Sequence, residues 1–240
     1  MIKYASNALL ANLVSFANEQ ANFAAALGKI DIVEVMNAVC ASHHFRVRDK
    51  ADLPTITAFL RAGCGFGGSC LPKDAKALVA RGREVGQPMR LLEAILHINE
   101  EQPQRLVALL EKHWPNLNGI RVTVLGLSFK PGTSDVRESP AFPLIRELLA
   151  RKASVKAYDP VAMTEARKVL HDANVEFCDG LESALEGAEA VVVVTPWKEF
   201  HDVPKLLRGR DPQPLFVDGR RAFAKDSVAR YEGVGLSRDE

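Results

Sequence analysis

Apolar side chains recur at roughly helical spacing from the first residues of the chain: Ile2, Leu9, Leu10, Leu13, Val14, Ala17, Ala21 and Ala24. That period predicts one long helix over residues 1–27, with Gly28 as its stop. "IDIVEVMNAVCAS" reads as a second helix with Asp31 near its start. The following "HHFRVRDKADLPTITAFLRAG" keeps no period, is polar in its first half and contains Pro54, so it reads as irregular. A third helix is predicted from about Pro72, a residue suited to the first helical position, to about Arg83. "GQP" breaks it, and a longer helix follows from about Met89 to Lys112, with Pro103 as a candidate kink.

After the turn-rich "WPNLNG" the pattern changes to short β-type runs alternating with helical ones. "IRVTVLGL", "SVKAYDP", "VEFC", "AEAVVVVTP" and "PLFVDGRRAF" read as strands with the turns that follow them. Helices are expected at 140–152, 162–171, 180–187 and near 203–208. Strands alternating with helices imply a parallel sheet covered on both faces. The fold class is therefore α/β: an all-helical domain, residues 1–115, followed by a Rossmann-like, doubly wound parallel α/β domain, residues 116–240.

Composition narrows the function. The chain has 240 residues and a formal net charge of +1, so no basic excess draws it to nucleic acid. No apolar run approaches the roughly 18 residues of a membrane span, and no signal peptide is legible, so a cytoplasmic location is expected. The four cysteines, Cys40, Cys64, Cys70 and Cys178, fit neither a disulfide framework nor a zinc pattern, and no metal is expected. Cys40 and Cys178 are expected to pack as small apolar residues.

Candidate chemistry concentrates in "GCGFGGSCLPKDAKAL", residues 63–78. Its glycines let backbone take positive φ and approach a ligand closely. Cys70 precedes the helix that Pro72 begins, where free N–H groups and Lys73 favour a thiolate. Asp74 lies one turn on, so the loop offers a nucleophile with a carboxylate beside it. A structural cysteine capping a helix beside a tight turn is the competing reading, and Cys64 suits a structural role better than a chemical one. Lys3 and Asn7, four apart on one helix face, can present an ammonium and an amide to one substrate oxygen. They can equally be a solvated lysine and an incidental asparagine.

"IKYASNALLANLVSFANE", "GFGGSCLPKDAKAL", "VLGLSFKPGTSDVRESP", "YDP", "TPWKEF" and "DGRRAF" occur in that order, and together they closely resemble the UDP-glucose/GDP-mannose 6-dehydrogenase family. The resemblance runs along essentially the whole chain. It implies a four-electron oxidation of a nucleotide sugar from C6 alcohol to acid, using two molecules of NAD in turn. On that resemblance Cys70 is the nucleophile, passing through a thiohemiacetal and a thioester. Asp74 helps to activate the hydrolytic water, Lys3 holds the oxyanion and Asn7 positions it. Arg61 to Gly67, including Gly65 and Phe66, line the nucleotide sugar with their backbone. Phe129 and Lys130 grip it, and Arg220 contacts its diphosphate. Cys70 to Lys73 and Arg137 face the NAD. The long helices imply a homodimer, and UDP-glucose is the favoured substrate; GDP-mannose and UDP-N-acetylhexosamines stay open.

Departures from the family pattern carry their own expectations. No glycine-rich NAD-binding turn opens the chain, and "MIKYASNALLA" resembles the interior of family sequences. The 240 residues then read as a central helical domain plus a nucleotide-sugar domain, without the N-terminal Rossmann domain and without turnover of their own. Cys64 stands where many family loops have proline, which implies a looser loop. The stretch from His43 to Ala62 is long, and an arginine that reaches across a dimer is not assignable among Arg46, Arg48 and Arg61. A non-catalytic dimerisation and nucleotide-sugar-binding module is the alternative of another class. A generic cysteine acyl-transfer enzyme would need a histidine base, for which His43 and His44 are the candidates.

Overall fold

A computed structural model describes residues 1–45 and 53–237. Four helices occupy the first part: α1 (Ile2–Leu27), α2 (Ile32–Ala41), α3 (Leu71–Glu84) and α4 (Arg90–Glu111), with a short 3-10 helix at Thr55–Phe59. The second part alternates β1 (Arg121–Leu125), α5 (Ala141–Ala150), β2 (Ser154–Tyr158), α6 (Met163–Val169), β3 (Val175–Phe177), α7 (Leu181–Leu185), β4 (Ala190–Val193), α8 (Val203–Leu207), β5 (Leu215–Asp218) and β6 (Tyr231–Gly233). All six strands are parallel, in the order β3-β2-β1-β4-β5-β6. The α/β expectation is met, in the doubly wound order that reverses between β1 and β4.

The strands are apolar on both faces because both faces are covered. Val122, Val124, Val192 and Val217 point into a core shared with α4 and α5, whereas Leu125, Val191, Val193 and Phe216 meet α7 and α8. Each fully buried valine or leucine contributes about 1.5–3 kcal/mol. The C-terminal half of α4 lays Leu106, Val107 and Leu110 on the sheet, while its N-terminal half packs Leu92 and Ile95 with Ala11, Phe66 and Val79. One helix therefore belongs to both parts and runs through Pro103, which is buried inside it.

Two details of the sequence reading change. In α1 the buried face is made of small residues, Ala11, Ser15, Ala17, Asn18, Ala21 and Ala24. Ile2 and Leu9, expected on that face, are 88% and 52% exposed, and Phe16 and Phe23 continue the same exposed stripe. The apolar period was real, but the packed side is the one where small residues let α3 and α4 approach. The second change is β6, Tyr231–Gly233, a strand beyond those read from the sequence, which extends the sheet beside β5.

The helical part is fastened to the sheet by the α1–α2 corner. Ile32 N–H donates to Gly235 O at 3.0 Å. Asp31 caps α2 through Val33 N–H and accepts from Arg221 Nη2 at 2.8 Å, with both side chains under a tenth exposed. Burial alone would raise the Asp31 carboxyl, but Arg221, the Val33 N–H and Lys225 outweigh it and hold it below the ordinary range. Asp31→Ala is expected to cost about 3–5 kcal/mol, as for other broken buried pairs, read by urea denaturation. Because the folded-state pKa is depressed, this contribution is complete above the ordinary carboxylate range and is lost as pH falls through the depressed value. The stability gap between the native chain and Asp31→Asn should therefore narrow below pH about 4.

Candidate active site

Residues 62–68 are buried, and a buried loop must find partners for its backbone. Gly63 N–H donates to Asn18 Oδ1 at 2.7 Å, and Cys64 N–H to Gly219 O at 2.8 Å. Arg220 Nη1 donates to Gly65 O at 2.6 Å, and its Nε donates to Val194 O at 2.8 Å. Asn99 on α4 takes both sides of one peptide unit's neighbours: Phe66 N–H at 2.7 Å and Phe66 O at 3.0 Å. Gly68 N–H reaches Arg137 O at 2.8 Å. Helices α1 and α4, the turn after β5 and the loop after β1 thus hold one strap between them.

Two glycines make the last of these contacts possible. A Cβ on Gly67 would collide with Glu138 O, and one on Gly68, at φ +80°, would lie 2.8 Å from the Phe129 ring. The absence of side chains lets the cysteine loop lie directly against residues 129–138. A salt bridge from Lys76 on α3 to Glu138, at 3.1 Å, closes the same contact.

The strap delivers Cys70 to the start of α3. Cys70 is exposed, whereas Cys40, Cys64 and Cys178 are buried. Its carbonyl accepts Asp74 N–H at 3.0 Å, the first helical bond. Among the described residues no histidine is hydrogen-bonded to it; His43 and His44 lie against one another, rings 3.7 Å apart.

Asp74 gathers the other candidates. Its side chain has no solvent exposure. It accepts from Lys73 Nζ at 2.7 Å and from Asn7 Nδ2 at 2.7 Å, and Lys3 Nζ stands 3.7 Å away. The hydrogen bond from Lys73 and then that from Asn7 hold its carboxyl below the ordinary range. Asn7 is thus hydrogen-bonded to α3, one turn from Cys70, whereas Lys3, largely exposed, stands near the same carboxylate. A carboxylate so engaged is a weak proton acceptor, which alters the water-activating task that the resemblance implied.

Other candidates take positions that sequence reasoning did not foresee. The Phe66 ring is packed with Ala11, Val79, Leu92 and Ile95, and its peptide groups are occupied by Asn99, so it serves as an anchor of the loop. The guanidinium of Arg220 is spent largely on two backbone carbonyls, yet it also lines a cavity of about 430 Å³ with Met36, Leu60, Arg61 and Arg221. Lys130 lies over the Phe129 ring at 5.4 Å and is exposed. Arg137 grips Asp135 through Nε at 2.9 Å and Nη2 at 2.7 Å. Cys64 has no exposure, and its N–H is bonded to Gly219, so the loop is fastened at the point where loosening was expected. Arg46 and Arg48 lie outside the described residues. Asn18 and Asn99 were missed, although Asn18 sits at helical spacing among buried alanines, a place where a polar group needs a partner.

The sheet itself offers little to a dinucleotide. Residues 63–68 match the letters G-x-G-x-x-G, but a 3-10 helix and turn precede them in place of a strand. The turn after β1, "GLSF", has the single glycine Gly126. Of the residues that the resemblance sets against NAD, Cys70 is exposed and Arg137 is paired with Asp135.

Comparison with known proteins follows the same division. Residues 1–101 match the central domain of the UDP-glucose/GDP-mannose dehydrogenase family, and residues 123–225 match its UDP binding domain. A UDP-glucose 6-dehydrogenase of Haloferax volcanii is 40% identical over 98% of this chain and 51% of its own length. One from Bacillus subtilis is 38% identical over 98% and 50%. The structure of a UDP-glucose dehydrogenase from Pyrobaculum islandicum superposes with a TM-score of 0.84 at 38% identity, covering 98% of this chain and 50% of that one. The chain spans about half the length of the curated relatives it matches. With both halves of the sequence matched to successive domains of one family, and the fold matched as well, the chain belongs to the UDP-glucose/GDP-mannose dehydrogenase family.

Proposed function

We propose that the chain carries the nucleophile and the nucleotide-sugar contacts of an NAD-dependent UDP-glucose 6-dehydrogenase. The observation that carries this reading is the exposed Cys70 at the start of α3, one turn from the Asp74–Asn7–Lys3 cluster and against the loop of Phe129 and Arg137. The identity to UDP-glucose 6-dehydrogenases favours UDP-glucose over GDP-mannose or a UDP-N-acetylhexosamine.

Two molecules of NAD, bound in turn, would each accept one hydride from C6, the first leaving an aldehyde; the rest is the work of this chain's residues. Cys70 Sγ attacks the C6 aldehyde, forming a C–S bond and an alkoxide. Lys3 and Asn7 stabilise that oxyanion and its later tetrahedral counterpart. After loss of the second hydride the carbon is a thioester, and water cleaves its C–S bond to return the thiolate and release the carboxylate. Asp74 keeps Asn7 and the two lysines in place and assists the water as a hydrogen-bond acceptor. Phe129 and Lys130 grip the nucleotide sugar, the backbone from Arg61 to Gly67 lines it, and Arg220 contacts its diphosphate, an anion to which a guanidinium is suited.

The exposed stripe Ile2, Leu9, Phe16 and Phe23, seven residues apart on α1, supports a homodimer through the helical part. Isolated apolar residues are ordinary on a surface, but a contiguous stripe along one helix marks a contact. No helix of the described residues is long and apolar enough to cross a membrane.

Three measurements test this reading. UDP-glucose should slow alkylation of Cys70, the exposed cysteine, more than GDP-mannose does at equal concentration; equal rates with and without UDP-glucose would overturn the site. Lys130→Ala should weaken UDP binding about tenfold, as for a lost charge-assisted contact, by calorimetry. The 240-residue chain alone should form no NADH from NAD and UDP-glucose, since it supplies only the rim of that site. NADH above background would refute this limit and leave the binding assignment standing.

A further inference from the structure

The motifs "YDP" and "TPWKEF" take no part in the site above, yet they meet at one buried carboxylate. Asp159 follows β2 and has no solvent exposure. Its Oδ2 accepts from Leu127 N–H at 2.8 Å, Ser128 N–H at 3.0 Å and the Ser128 hydroxyl at 2.9 Å. Trp197, beyond β4, donates its indole N–H to the same oxygen at 3.0 Å and to Ser128 Oγ at 3.2 Å. The other oxygen accepts Val161 N–H at 3.0 Å and Ala162 N–H at 2.9 Å. Burial alone would raise this carboxyl, but the backbone N–H groups outweigh it and keep it ionised.

In a doubly wound sheet that binds a dinucleotide, an acid about 20 residues beyond the glycine turn commonly faces the ribose. Here the acid at the end of β2 is turned inward, and the donors to its Oδ2 come from the turn after β1 and from the segment after β4. Those two segments flank the topological switch point of the sheet. Gly126, at φ +90°, allows them to touch: a Cβ there would lie 2.5 Å from Thr195 backbone atoms. Thr195 Oγ1 also donates to Ser128 O. The residue after Ser128 is Phe129, and Lys130 follows.

We propose that Asp159 and Trp197 are positioning residues that fix the turn after β1, so that Phe129 and Lys130 are held ready for the nucleotide sugar. The carboxylate acts on the ligand through that turn and touches no reacting atom. This rests on the nucleotide-sugar reading above.

A double-mutant cycle tests it on the 240-residue chain, with UDP as the probe and calorimetry as the readout. Trp197→Phe keeps an aromatic ring and removes the donated hydrogen bond. It should weaken UDP about fivefold, the weight of one ordinary hydrogen bond. In the Lys130→Ala background the same change should cost less than about twofold, since coupled groups are not additive. Equal losses in both backgrounds, or no loss in either, overturn the positioning role and leave the UDP site intact. Failure of the native chain to bind UDP overturns both readings. If Trp197→Phe does not fold, Ser128→Ala takes its place in the cycle. A second readout does not depend on variants: the indole N–H resonance of Trp197 should move on UDP addition, while that of Trp114, under Arg230 elsewhere, should not. A Trp197 resonance that stays still counts against the proposal.

Discussion

The structure depends on the cost of burying irregular backbone. Residues 62–68 run beneath α1 and α4 and against the sheet, where water cannot satisfy their polar groups. An unpaired buried N–H or C=O costs roughly 1–3 kcal/mol, so such a loop is stable only if the surrounding elements supply partners. Asn18, Asn99, Arg220, the Gly219 carbonyl and the Arg137 carbonyl supply them. These donors and acceptors come from both parts of the molecule. The requirement that stabilises the loop therefore also fixes the helices relative to the sheet, and it fixes the start of α3 relative to Phe129 and Arg137.

The paired arginines of "DGRR" divide this task. Asp218, at the end of β5, accepts Arg220 N–H, Phe223 N–H and the Tyr231 hydroxyl, and so sets the turn that carries both arginines. Burial raises the Asp218 carboxyl despite those donors. Arg220 then reaches the cysteine loop, and Arg221 reaches Asp31 at the α1–α2 corner. Neighbouring residues tie the sheet to two places in the helical part, the cysteine loop and the α1–α2 corner. A lysine at either place would lose the planar fork that allows Arg220 to bond two carbonyls from different strands of chain.

Local patterns were legible in the sequence where local physics decides the outcome. Valine-rich runs such as "AVVVV" are strands because both faces of a parallel sheet are covered, and Pro72 opens α3 because it lacks a donor that the first turn does not need. The thiol, Lys73 and Asp74 lie within five residues, so their grouping could be read directly. Contacts that span distant positions could not. Asn99 serves a peptide 33 residues away, and Asn18 one 45 residues away; an amide side chain at helical spacing says that it needs a partner without saying which. The orientation of α1 shows the same limit. Its larger residues obey the helical period, but Ala11, Ala17 and Ala21 are buried, because close approach to neighbouring helices favours small side chains. Phe66, which the resemblance set among backbone contacts to the nucleotide sugar, has its ring in the core and both its N–H and C=O bonded to Asn99, a pairing its glycine neighbours do not signal.

Electrostatics near Cys70 follow from which groups are already neutralised. Lys73 would seem to be the cation that stabilises a thiolate, yet its ammonium is 2.7 Å from Asp74 and is held above the ordinary lysine range by that carboxylate. Lys3 is looser, 3.7 Å from the same carboxylate and largely exposed. Of the two lysines, Lys3 is therefore the less neutralised, and Asn7 has one amide N–H committed to Asp74. The helix start contributes a further positive field at the thiol without any side chain. Asp74 thus holds Lys73 and Asn7 in one geometry, Arg137 is likewise paired with Asp135, and the positive field at Cys70 comes chiefly from the start of α3.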